Sequence, residues 1–134
     1  MKLLTRNTDY AVRAICYLAR NKERVVVVGE LCKKLKIAQP FLRTILQKLH
    51  HVGILNASKG RNGGFMLNKG EGAITILDIM CVFQGSEGFV QCRTAGENCH
   101  NMPVCPLRKR LKNIERNIFV SLSRITVKSL LGEI

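Results

Sequence analysis

The most distinctive chemistry in this 134-residue chain belongs to three cysteines gathered late in the sequence, Cys92-x6-Cys99-x5-Cys105. Thiolates are soft donors that favour iron-sulfur clusters, zinc and copper(I), and a loop lets three of them converge on one centre. Structural zinc pairs use about two to four intervening residues, so the wider gaps weigh against a zinc knuckle. A metal-free thiol switch needs only two neighbouring cysteines. Spacing therefore leaves cluster, thiol switch and zinc open. Cys16, Cys32 and Cys81 each stand singly among apolar neighbours at helical spacing, where a cysteine is expected to act as a small core residue. The segment Met1–Arg6 has too short an apolar run for a signal peptide. The expected compartment is the cytoplasm, where thiols stay reduced and a disulfide framework is not expected.

The second chemical signal is charge. The net charge is +13, and residues 1–70 hold 14 of the 22 lysines and arginines against only three of the nine acidic residues. A footprint of that sign attracts polyanions. With two tyrosines, no tryptophan, no lipid-anchor motif and no apolar run near the roughly 18 residues of a membrane span, duplex DNA is favoured over a membrane. No nucleophile elbow, phosphate loop or suitably placed carboxylate pair supports an enzyme. A small electron-transfer protein has no need of so basic an N-terminal half.

The elements that must position these groups follow from periodicity. Residues 6–20 read as an amphipathic helix with Tyr10, Ala11, Ala14, Ile15, Leu18 and Ala19 on one stripe. Val25–Val28 reads as strand-like, and a short helix over 29–36 turns Leu31, Cys32 and Leu35 inward. Pro40 suits the first turn of a following helix that runs to about Gly53, because its missing N–H costs nothing there. Two helices joined by a tight break predict a helix-turn-helix. On the second helix Gln39, Phe41, Arg43, Thr44 and Gln47 lie near the start or on the outer face, where side chains reach base edges, although Phe41 also fits a core.

Ile54–Ser58 and Phe65–Leu67, joined by Lys59-Gly60-Arg61-Asn62-Gly63-Gly64, predict a β-hairpin whose tip carries Lys59 and Arg61 for phosphates or a minor groove. The glycines there allow positive φ and close approach to a surface. Thr75-Ile76-Leu77-Asp78 resembles a capping box for a helix ending near Gly85. From Pro106 a long helix carries the stripe Leu107, Leu111, Ile114, Ile118, Leu122 and Ile125, a coiled-coil-like seam that a small domain cannot cover. Thr126 is placed to cap a last short helix. The fold class is mainly α with a small β-hairpin wing (α+β): a winged helix-turn-helix with a long C-terminal dimerisation helix. Residues 1–85 form the DNA-binding domain, 86–105 a cysteine-bearing loop, and 106–134 the dimerisation helix with its short successor.

Taken in order, Thr8-Asp9-Tyr10-Ala11, Lys59-Gly60-Arg61-Asn62-Gly63-Gly64-Phe65 and Cys99-His100-x-Met102-Pro103-x-Cys105-Pro106-Leu107 resemble the IscR, NsrR and RirA group of bacterial regulators over essentially the whole chain. The resemblance implies a homodimeric transcription regulator with an iron-sulfur cluster, of the 2Fe-2S or 4Fe-4S type, that controls DNA binding. It also implies a fourth ligand beside Cys92, Cys99 and Cys105. IscR-like members use a His three residues after the last cysteine, where this chain has Arg108. NsrR-like members use an Asp of the first helix, lent by the other subunit, and Asp9 matches it. His100 and Glu97 stand in the loop as substitutes. The nearest rival is a cluster-free regulator of the same fold that reads thiol oxidation, a metabolite or a partner protein.

Overall fold

A computed structural model describes residues 2–88, 99 and 103–133. Cys92, Glu97 and His100 lie outside them. The described chain runs α1 (Arg6–Arg20), α2 (Val28–Leu35), α3 (Gln39–His51), β1 (Leu55–Ser58), β2 (Gly64–Leu67), a 3-10 turn at Glu71–Ala73, α4 (Ile76–Gln84), α5 (Pro106–Arg124) and α6 (Val127–Gly132).

The first helix is the hub. Thr5 caps it, with its side-chain oxygen accepting from the Thr8 N–H, and Ala11, Ala14, Ile15, Leu18 and Ala19 are buried along one stripe. The three alanines let neighbouring helices approach closely, and α1 packs against α2, α3, α4, α6 and the hairpin. Leu31 of α2 and Leu42, Ile45, Leu46 and Leu49 of α3 complete that core. Each such aliphatic side chain contributes about 1.5–3 kcal/mol by leaving water.

The hairpin pairs β1 and β2 antiparallel in the register Leu55 to Leu67, Asn56 to Met66, Ala57 to Phe65 and Ser58 to Gly64. The valine run does not form a strand of its own. Val26 makes one antiparallel bridge, exchanging two 2.9 Å hydrogen bonds with Phe65, and Val28 already opens α2. That bridge explains Gly64: a Cβ there would run into the Val26 carbonyl oxygen. Only Gly60 of the three turn glycines has a positive φ, 103°. Close approach at Gly64 is thus to the chain itself rather than to an outside surface.

The box at Thr75 and Asp78 is present, with Gly85 ending α4. A second forms at Thr126 and Ser129 at the start of α6. The two cap residues face each other: Thr75 and Thr126 form an antiparallel bridge, Ile76 N–H donates to Ile125 O and Val127 N–H to Ile74 O, both at 2.9 Å. Val127 is buried, so α6 returns the chain to the core beside α1.

The apolar stripe of α5 divides. Leu122 is 7% exposed and Ile118 packs on the core, whereas Leu107 (66%), Ile114 (53%) and Leu111 face solvent. The C-terminal half of the stripe belongs to the subunit's own interior because α4 lies against it. Among the described residues no helix is long and apolar enough to cross a membrane.

Candidate nucleic-acid interface and cysteine site

The break between α2 and α3 is made by Lys36, which ends α2 in the left-handed region at φ 55°. Ile37 is buried as the chain turns, Ala38 precedes the helix, and Pro40 sits in its first turn. With Leu42, Ile45, Leu46 and Leu49 inward, helical geometry turns the opposite face outward, and Gln39, Phe41, Arg43, Thr44 and Gln47 are all exposed. Phe41 is 64% exposed and is not a core residue. An aromatic ring left in water on the flank that also carries Thr44 and Lys48 suits contact with a thymine methyl. The Thr44 hydroxyl donates to Pro40 O at 3.0 Å, which fixes its rotamer and leaves its oxygen free to accept.

Lys48 belongs to the same face and was not singled out by the sequence. It lies seven residues after Phe41 on one flank, with its Nζ 5.2 Å from the centroid of the Phe83 ring of α4, so a helical wheel identifies the flank but not its aromatic neighbour. His50 is exposed, with Nδ1 3.1 Å from Leu55 O where α3 meets the hairpin. Lys59 and Arg61 are exposed at the wing tip, whose turn is closed by the Gly63 N–H donating to Gly60 O at 3.0 Å.

The angle at which α2 meets α1 is held by three side chains. Tyr17 Oη donates to Glu30 Oε1 at 2.6 Å, and Arg24 Nη1 donates to Glu30 Oε2 at 2.9 Å. The Arg24 guanidinium, and after it the Tyr17 hydroxyl, lower the Glu30 carboxyl to about 2. A carboxyl depressed on folding stabilises the native state above its unfolded pKa, and that contribution is lost as pH falls through the folded value. Thermal melts should therefore show wild type and Glu30→Gln converging as pH drops from about 4.5 to about 2. A constant difference across that window would show that the carboxylate charge is not what holds the corner.

Of the cysteines, Cys16 and Cys32 are half-buried as expected, and burial pushes the Cys16 thiol up. Cys81 is exposed on α4 rather than in the core, because Ile79 and Met80 take the inward positions. Cys99 and Cys105 are free and half-buried. Cys105 immediately precedes α5 and makes no side-chain capping hydrogen bond. Asp9, in the first turn of α1, pairs with Arg13 at 3.1 Å and keeps 44% of its side chain exposed. Among the described residues no three His, Cys, Asp or Glu side chains converge as a metal site; the third cysteine of the set is outside them.

A helix-turn-helix with a polar outer face and an adjoining basic hairpin is the architecture of a winged-helix DNA-binding regulator. The chain belongs to the Rrf2 family, described as iron-dependent transcriptional regulators, which it matches over residues 4–133. It is a transcriptional regulator and not an enzyme. It is 33% identical to protein aau3 of Rhizobium meliloti (strain 1021) over 128 residues, 95% of this chain and 83% of that protein. Its fold is similar to that of CymR, the global cysteine regulator of B. subtilis (TM-score 0.84, 20% identity, 100% of this chain and 99% of the other). It is also similar to T. potens IscR (TM-score 0.76, 22% identity, 99% and 88%).

Proposed function

We propose that the chain is a homodimeric, DNA-binding transcription regulator whose operator affinity is controlled by an iron-sulfur cluster held by Cys92, Cys99 and Cys105, with Asp9 lent across the dimer. The observation that carries this reading is the placement of Cys105. A free, half-buried thiol stands at the first turn of the helix that bears the exposed stripe Leu107, Leu111 and Ile114. Three soft thiolates fit an iron-sulfur group, and a carboxylate is a harder fourth donor. Bound there, the group supplies iron that responds to oxygen, nitric oxide or iron supply. Cys99 and Cys105 would hold it at the foot of α5, and Asp9 would tie that foot to α1.

Because α1 packs directly on α3, a change in how Asp9 is held shifts the recognition helices against each other. Gln39, Phe41, Arg43, Thr44 and Gln47 then read bases, while Lys48, Lys59 and Arg61 engage the backbone. Protein purified without air should be coloured and contain iron. Cys92→Ala and Cys105→Ala should each abolish the colour, and Asp9→Ala should keep a shorter-lived cluster with weaker control of operator binding. A colourless wild type that releases DNA when a disulfide forms would replace this mechanism with thiol oxidation.

A further inference from the structure

Arg13, Lys22, Arg24 and Lys112 are each paired with a carboxylate. Lys48 is held differently. It is exposed on α3, and its Nζ lies over the ring of Phe83, 5.2 Å from the centroid, within the roughly 6 Å at which an aromatic face attracts a cation. A carboxylate cancels the charge it holds, so the pair has little attraction left for a phosphate. A ring attracts the cation through its quadrupole and leaves the positive charge in place.

The ring itself is fixed. Phe83 follows Ile79 by four residues and Met80 by three, the inward positions of α4, and it is half-buried against the core. α4 in turn packs on α1 and α5. Between α4 and the end of α3 lies a cavity of about 200 Å³, lined by Val52, Ile54, Cys81 and Val82 among others, and the contact of Lys48 with Phe83 bridges the same two helices.

We infer that Phe83 is a positioning residue for DNA binding: its ring holds the Lys48 ammonium, still charged, where a phosphate of the duplex backbone meets it. This rests on the reading of α3 and the wing as the DNA face. A lysine has a long stem with many rotamers, and ordering it at an interface costs entropy. A lysine already seated on a ring that belongs to the core has lost part of that freedom before the duplex arrives. Its N–H donors point in several directions, so the ring can occupy one side of the ammonium and a phosphate another. Such a contact orients the protein without reading sequence.

The test measures binding of full-length protein to a random-sequence duplex across a range of salt, for wild type, Lys48→Gln, Phe83→Leu, Phe83→Tyr and the Lys48→Gln/Phe83→Leu double variant. Lys48→Gln should lower the slope of log affinity against log salt by about two in the dimer. Phe83→Leu, which stays apolar but has no ring, should weaken binding about two- to fivefold for each half-site, and Phe83→Tyr should restore wild-type affinity. In the Lys48→Gln background Phe83→Leu should have no further effect, because its partner is already gone. If Phe83→Leu fails to fold, Phe83→Met makes the same comparison. A loss that is equally large with glutamine at position 48 would make Phe83 a packing residue only and overturn the inference. Tighter binding by Phe83→Leu would overturn it too, by showing that the ring withholds Lys48 from DNA. A wild type that binds while Lys48→Gln keeps its affinity and slope overturns this inference alone. A wild type that binds no duplex overturns the reading of the DNA face, and the inference falls with it.

Discussion

Operator binding should weaken about 10³- to 10⁵-fold between 50 and 200 mM salt if the dimer engages about six to ten phosphates. The expectation follows from the concentration of 14 basic residues in the first 70 and from the exposure of Arg43, Lys48, Lys59 and Arg61 around one face. Each neutralised phosphate releases condensed counterions, so affinity depends on a high power of salt concentration. Lys59→Gln or Arg61→Gln removes one phosphate contact per subunit, so it should lower the slope of log affinity against log salt by about two in the dimer and weaken all sequences alike. Arg43→Gln should instead cost about 1–3 kcal/mol per half-site and relax sequence preference at one base pair of each. Titrations of one operator and one unrelated duplex across that salt range check both expectations. A flat slope, or a wing variant that alters sequence preference, would move the interface to another face.

Ile114→Glu should split the dimer. Ile114 is 53% exposed, between Leu111 and the half-buried Ile118, and a partner copy covering it would bury an unpaired carboxylate at a cost of several kcal/mol. Sedimentation should then show monomers at concentrations where wild type is dimeric, with operator affinity falling because one recognition helix is left to bind by itself. The division of the stripe supplies the control. Leu122 is part of the subunit's own core, so Leu122→Glu should lower the melting temperature of the subunit, whereas Ile114→Glu should leave the fold intact. An unchanged dimer in Ile114→Glu would place the contact elsewhere.

The parts of this architecture that were legible in the sequence are those set by near neighbours. The stripe of α1, the proline opening α3, the turn between Ser58 and Gly64 and the box at Thr75 and Asp78 depend on residues a few positions apart. Features that join distant segments were not legible. Val26 pairs with Phe65 across 39 positions, and only that pairing shows why Gly64 has no room for a side chain. Lys36 adopts a left-handed conformation with no glycine to announce it. Glu115, three residues after Lys112 on α5, is buried, with its carboxylate against Gly88, 27 positions away. Cys81 shares its apolar neighbours with Cys16, yet α4 turns it outward. The outward residues of α3 were legible because burial of Leu42, Ile45, Leu46 and Leu49 leaves them only one side to occupy. Asp9 and the three cysteines are legible in the sequence only as residue types in order, and Cys92 lies outside the described residues.

The bridge between Thr75 and Thr126 bears on modularity. Because Ile76 and Val127 each donate a backbone hydrogen bond across it, the far end of α5 is stitched back into the domain that reads DNA, and α6 is wedged beside α1. Helix α5 is therefore tied down at its C-terminal end and is not a stalk that can be cut there and transplanted. A chimera that exchanges the winged helix of this regulator for another would need its junctions outside both threonines, so that the whole buckle travels with one parent.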